Sequence, residues 1–340
     1  MRFAVETWAP EYGSPAEGGA LAETDVAVDL DIEQPAARWA PITPPPLAPA
    51  DQELPALFVD GVRRIEARVW VSGADGEARP GICATYAAGV VRCCPPITSS
   101  VASSRAPGRA RVVATEVARA LFCRAAGAAP IDTRCGPFGL RATPADDPDT
   151  LSLALQGAMA DLELQVSAGA AAPGELLVVD GPLGARRGLP GTVGYIKTHH
   201  VSYLPTAMHG VIGALTAGQR TPVFCMGERF ARHSWYLRLP GEVSHPWAGV
   251  VRCEATVDIG PEQAIALADR LAAVLPRYGS SPHKDPRAPQ NLFPIAGLER
   301  ELRRRLGDPL LIQRALREAA QHSRLDQGAP AAESPRTGAP

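Results

Sequence analysis

Two copies of one short pattern stand out in this 340-residue chain: Leu57-Phe58-Val59-Asp60-Gly61 and Leu177-Val178-Val179-Asp180-Gly181. Each is an apolar run closed by an acid and a glycine. A single Asp-Gly after a strand is most often a turn. Two of them raise a second reading, because ligand sites in sheets with parallel strands form just beyond the strand ends. If the two strands are neighbours, Asp60 and Asp180 converge, and close carboxylates repel unless one is protonated or a cation lies between them. Hard oxygen ligands of this kind suit Mg²⁺ or Mn²⁺ rather than zinc. Glu163 is a third candidate. It follows Met159 by four residues and adjoins Leu162, at the flank of an apolar helical stripe; its alternative is a solvated flank residue, the expectation for Asp161. With the two aspartates, Glu163 would complete a carboxylate cage for one or two divalent ions. A pair of such ions, about 3.5–4 Å apart, activates a water and stabilises the leaving oxygen in phosphodiester hydrolysis.

The surrounding cations fit an anionic substrate. An arginine pair follows each acid, Arg63 and Arg64 after the first and Arg186 and Arg187 after the second, well placed for a nucleic-acid backbone. Arginine is common here, with 32 against only two lysines, Lys197 and Lys284. That bias matches GC-rich coding, and in such a background a lysine is retained where a compact ammonium does what a guanidinium cannot. Lys284 lies in His283-Lys284-Asp285, which with Arg287 either binds phosphate or forms a solvated loop. His199, His200 and His209 lack zinc-ligand spacing, and Arg252 with Glu254 reads as an ion pair on a strand. The seven cysteines contain no CxxC and are expected to pack as small hydrophobes in a reducing cytoplasm. No GxSxG elbow, Walker A loop or GxGxxG fingerprint occurs, so no ATP site is expected within the chain.

The elements that must position these residues follow from periodicity. Strands are expected at Val26–Ile32, Leu57–Val59, Ile65–Val71, Ile82–Val91, Leu176–Val179, Val193–Ile196, Val223–Met226, Trp235–Leu239 and Val250–Val257. Arg111 to Phe122 reads as a strand running into a helix. Asp147-Pro148 is an N-cap followed by proline at the first helical position, and Leu151, Leu155, Met159, Leu162 and Val166 keep helical spacing, so a helix is expected over 148–168. Further helices are expected over Pro261–Leu275, Ile295–Leu306 and Pro309–Gln321. Residues 34–55, with Pro44, Pro45 and Pro46 in a row, read as an extended strap, and 95–110 and 279–291 as loops. Strands mixed with helices, some strands wholly apolar, indicate an α/β layer fold. A formal charge of −2 argues against electrostatic wrapping of nucleic acid but not against a local grip on it. No apolar run approaches the roughly 18–20 residues of a membrane span, and the first twenty residues lack the apolar core of a secretory signal.

These pieces together resemble the NurA family of nucleases. The matching segments are VDGVRRIEARV at 59–69, ADLEL at 160–164, LVVDGPL at 177–183, VGYIK at 193–197, WYLRL at 235–239 and VVRCE at 250–254, with NLFPIAGLE at 291–299 as a worn last motif. They run in the family's order over about 57–306. The resemblance implies a ribonuclease H-like mixed sheet flanked by helices, with Asp60, Glu163 and Asp180 as ligands of Mn²⁺ or Mg²⁺. It places Lys197 where a family lysine would contact phosphate or the developing charge. Where the family has a tyrosine-proline pair and then a histidine, this chain has Asn291 and Glu299; Glu299 would close the metal site, or belong to ordinary Glu/Arg surface patterning. Val62 replaces a small hydroxyl residue after the first Asp-Gly. The division implied is an N-terminal strand and arm (1–55), a NurA-like nuclease domain (56–322) and a disordered tail (323–340). The family further implies action on DNA ends or single strands, a homodimer, and a HerA-type hexameric ATPase partner in repair or defence. The alternatives are a ribonuclease H-like scaffold without catalysis, and a hydrolase of small phosphoesters.

Overall fold

The computed structural model describes residues 8–12, 14–15, 22–23, 26–72, 77–95, 108–124, 127–184, 191–227 and 231–328. The N-terminal elements are β1 (Ala22–Glu23), β2 (Val28–Asp29) and the short α1 (Pro49–Gln52). Three long strands follow, β3 (Ala56–Ser72), β4 (Ala78–Cys94) and β5 (Arg109–Cys123), then β6 (Gly139–Ala142) and α2 (Pro148–Ser167). Next come β7 (Leu176–Asp180), β8 (Thr192–Ile196), β9 (Val201–Ser202), α3 (His209–Ala214), β10 (Phe224–Met226), β11 (Arg232–Arg238) and β12 (Val250–Thr256). The chain ends with α4 (Gly260–Val274), α5 (Phe293–Arg305) and α6 (Pro309–Gly328). This is an α/β architecture with a large mixed sheet flanked by helices. Among the described residues no helix is long and apolar enough to cross a membrane.

Two compact units divide the chain. The first comprises Met1–Asp60, Ala88–Thr115 and Glu163–Glu301, the second Gly61–Ala87, Glu116–Leu162 and Leu302–Pro340. The first unit orders its strands β2-β10-β11-β12-β8-β7-β3, followed by its portions of β4 and β5. β3, β7 and β8 are mutually parallel, whereas β12, β11, β10 and β2 are antiparallel to their neighbours. Leu57, Val59, Val90, Leu177 and Val179 form one core cluster of this unit. Leu176–Val179 is buried throughout, as an apolar run flanked by strands on both sides requires. A second cluster gathers Trp39, Leu204, Phe224, Tyr236 and Val250. The strap is fastened there by charge. Fully buried Arg220 donates to both carboxylate oxygens of Glu33, at 2.7 and 2.9 Å, and to Asp269 at 2.8 Å. A buried guanidinium with two carboxylates is satisfied on its planar fork.

In the second unit β6 pairs parallel with β5, and Cys83, Leu121, Cys123, Phe138, Ile312 and Leu316 form the core. Arg64 pairs with Glu66 at 3.0 Å and donates to the Gly307 carbonyl at 2.9 Å, capping the end of α5.

Several expectations change. Leu57–Val59 and Ile65–Val71 are one uninterrupted strand, because Gly61 keeps an ordinary negative φ and the ladder continues through it. Arg111–Phe122 contains no helical half: Val112, Val113, Thr115 and Val117 are β-branched and favour strand, and pairing with β4 and β6 keeps the remainder of β5 extended. The expected Val26–Ile32 strand shortens to two residues, since Asp29 and Asp31 turn the chain through bonds from the Asp31 and Ala36 amides. The last helix runs to Gly328, so the tail expected to be disordered from 323 begins as helix; 329–340 lie outside the described residues. The 148–167 helix starts as expected, with Asp147 accepting from the Thr150 amide at 2.9 Å.

Candidate active site

The site forms where β7 and β8 end. The parallel ladder of β3 and β7 pairs Leu57 with Leu177, Phe58 with Val178 and Val59 with Val179. Asp60 and Asp180 are each the next residue of their strand. They therefore share one face on strands about 5 Å apart. Asp60 is buried, whereas the Asp180 side chain retains 16% exposure. Asp180 is in turn paired with Tyr195 of β8, which brings Tyr195, and Lys197 two residues on, to the same face. Gly181 turns the chain at φ 107° and exchanges backbone hydrogen bonds with Tyr195 at 2.8 and 3.0 Å, fixing this corner.

Lys197 Nζ donates to Asp180 Oδ2 at 2.6 Å and to Asn291 Oδ1 at 3.0 Å. Behind it, Asn291 Nδ2 donates to Asp285 Oδ2 at 2.8 Å, and Asp285 Oδ1 accepts the Arg287 amide at 2.8 Å. Arg287 donates to Glu299 Oε2 at 2.7 Å and lies over the Tyr12 ring at 5.3 Å. Burial works against the Arg287 charge, but Glu299, Asp285 and Asp180 outweigh it and hold the guanidinium above its ordinary pKa. Tyr195 donates to the Gln290 carbonyl at 2.6 Å, and its phenol is pushed up by burial first, then by Cys253 and Asp180. Trp8 donates to Gln290 Oε1 at 3.0 Å, fixing the N-terminal segment against the same loop.

A cleft of about 590 Å³ opens here, lined among others by Asp180, Lys197, Arg287, Trp8, Tyr12 and Tyr203. Arg252 lies on its wall, over the Tyr203 ring at 4.7 Å and bonded to Glu254 at 2.8 Å. Glu254 also accepts the Leu183 amide at 2.6 Å, so the strand ion pair anchors the segment after Asp180. His199 is buried, and its bond at 3.2 Å to the Val250 carbonyl requires a proton on Nε2. Burial above all drives its pKa down to about 4. His209 bonds Ser202 at 2.7 Å.

Glu163 on α2 is buried, while Asp161 is exposed, as the helical stripe predicts. Glu299 is engaged by Arg287. Lys284 and His283 are exposed on their loop. Arg63, which reaches the Ser152 carbonyl at 3.3 Å, and Arg64, committed to Glu66 and Gly307, belong to the second unit. Arg186 and Arg187 lie outside the described residues. Cys83, Cys93, Cys123 and Cys253 are buried as expected, but Cys94 is exposed on the last residue of β4.

Among the described residues no group of three or more His, Cys, Asp or Glu side chains is arranged to hold a metal ion. Asp60, Glu163 and Asp180 thus do not close into a three-ligand cage in this arrangement. The donor chemistry of Asp60 and Asp180 nonetheless fits Mg²⁺ or Mn²⁺. Such hard ions take oxygen donors, and Mg²⁺ commonly keeps several waters and uses one or two carboxylates plus substrate phosphate. The residues that periodicity alone does not single out are Asn291 as the partner of Lys197, Asp285 as the partner of Asn291, and Trp8 and Tyr12 as the cleft's N-terminal wall. Asn291 lies 94 positions from Lys197, and nothing local to either residue announces the contact. No protein-family model matches this chain, and no curated protein does.

Proposed function

We propose that the chain is a metal-dependent DNA nuclease of NurA type with a ribonuclease H-like sheet. The observation that carries this reading is the in-register placement of Asp60 and Asp180 on neighbouring parallel strands, with Asp180 lining a cleft that also holds Lys197, Arg287 and Arg252. The strand order around it supports the same reading, with β7 and β8 parallel to β3 on one side and β4 and β5 on the other. Asp60 and Asp180 would hold the ion, with Glu163 the expected third acid. When bound, Mg²⁺ or Mn²⁺ supplies a polarised water and charge neutralisation at the phosphate. Lys197 offers its ammonium to a non-bridging phosphate oxygen. The partly exposed carboxylate of Asp180 lines the cleft that a substrate would enter.

The resemblance to the NurA family adds a homodimer and a HerA-type ATPase partner to this reading, the latter in keeping with a sequence that carries no nucleotide-binding loop motif. A second reading, a scaffold that kept the fold without catalysis, is favoured by one observation: Lys197 already neutralises Asp180 at 2.6 Å. Incubating the purified chain with Mn²⁺ and end-labelled single- and double-stranded DNA, beside a chromogenic phosphoester, separates these. The nuclease reading expects DNA cleavage and an inert small phosphoester. DNA left intact, with and without a HerA-type partner, would favour the scaffold.

A further inference from the structure

We propose that Asn291, oriented by Asp285, is a positioning residue that holds the Lys197 ammonium at one point beside Asp180. Its consequence for catalysis rests on the nuclease reading; the positioning itself does not. An ammonium can only donate, and a carboxylate can only accept, whereas a carboxamide does one at each end. Asn291 therefore has a single orientation that satisfies both neighbours: Oδ1 toward Lys197 at 3.0 Å and Nδ2 toward Asp285 at 2.8 Å. Asn291 is fully buried, so its amide has no water to turn to. Asp285, also buried, is held by the Arg287 amide at 2.8 Å and cannot follow a rotating partner.

The order Lys197 to Asn291 to Asp285 thus has one polarity, and turning the carboxamide sets donor against donor at Lys197 and acceptor against acceptor at Asp285. Among the described residues Lys197 donates to Asp180 and Asn291, which accounts for two of its three N–H groups. The third is left for an oxygen of whatever enters the cleft that Lys197 lines. The buried asparagine thereby aims a cation that would otherwise swing on four methylenes.

The chain's two lysines make this directly readable. In protein labelled with ¹³C-lysine, Lys284→Arg assigns the remaining ε-methylene signal to Lys197. A lysine held in one rotamer shows two inequivalent ε-protons; a released one shows a single averaged signal. The expected result is a split Lys197 signal in the parent chain, collapsed in Asn291→Ala and in Asp285→Asn. In the latter variant, a carboxamide at position 285 that keeps the bond from the Arg287 amide turns its own NH₂ toward that of Asn291. The double exchange Asp285→Asn with Asn291→Asp restores the chain of bonds at the same net charge, and should restore the split.

In Mn²⁺-dependent DNA cleavage, each single variant is expected to lose about 10- to 100-fold, with recovery in the double exchange. A split signal persisting in Asn291→Ala, or a double exchange no better than Asp285→Asn, would overturn the proposal. If Asp285→Asn does not fold, Asn291→Ala decides alone, since it leaves the Asp285 bond to Arg287 in place. If the signals behave as expected but no form of the protein cleaves DNA, the positioning stands and the nuclease reading falls.

Discussion

The two Asp-Gly sites share four of five residue types at matching positions and nevertheless do different things. At Asp180 the strand ends: Gly181 takes φ 107°, the chain turns, and the carboxylate meets Lys197 in a cleft. At Asp60 the strand continues through Gly61 to Ser72, and the carboxylate is buried. What separates them is the company of the strand. β7 has five residues between two parallel neighbours, while β3 is one of three long strands with partners along both portions. An Asp-Gly pair permits a turn; it does not compel one. The pairing of the two acids survives this difference, because it depends on the register of the apolar runs before them.

The contrast can be attacked from three directions, taken in order of size. The β8 side depends on His199, whose amide donates to the Pro15 carbonyl at 2.8 Å and whose neutral ring is buried. Its pKa of about 4 lies below the ordinary 6.5, so the unfolded chain binds the extra proton first. The contribution is complete above about pH 6.5 and is lost as pH falls toward 4. Urea denaturation across that window should show about 3 kcal/mol of acid destabilisation, reduced in His199→Gln. An equal pH dependence in both proteins would assign it elsewhere.

Next is the turn itself. A Cβ at Gly181 meets no atom within 4 Å, so Gly181→Ala is penalised only through its positive φ, by about 1–2 kcal/mol. Gly61→Ala, in ordinary strand backbone, carries no such φ penalty. Thermal melts of the two variants give the comparison; equal losses would mean that both glycines serve as turns. The smallest effect concerns the two helical flank acids. Asp161→Ala on the exposed side of α2 should change stability by under about 0.5 kcal/mol, whereas Glu163→Ala, at a buried position, should exceed it.

How far the sequence discloses all this depends on the range of the interaction. The buried strand Leu176–Val179 and the helix begun by Asp147 and Pro148 follow from spacing within a few turns of chain, whereas spacing leaves Glu163 at the flank and the fold decides that it is buried. The burial of four cysteines follows from their chemistry. The second half of β5 is not legible as strand, since its alanine, leucine and phenylalanine suit either state and only its neighbours β4 and β6 keep it extended. The continuity of β3 through Gly61 is likewise decided by pairing. Arg64 pairs with Glu66 two residues on but also reaches the Gly307 carbonyl 243 residues away. The Lys197–Asn291–Asp285 chain joins three polar residues from two segments, and no local pattern encodes it.

The central claim is that Asp60 and Asp180, one in a through-running strand and one at a turn, serve a single site. It is tested most directly by comparing Asp60→Ala and Asp180→Ala with the parent chain on end-labelled DNA in Mn²⁺, with folding of each variant verified by its melt. The account predicts cleavage by the parent and a loss of about 1,000-fold or more in both variants alike. Cleavage that survives Asp60→Ala while Asp180→Ala abolishes it would contradict the shared site and leave the two Asp-Gly motifs unrelated in function.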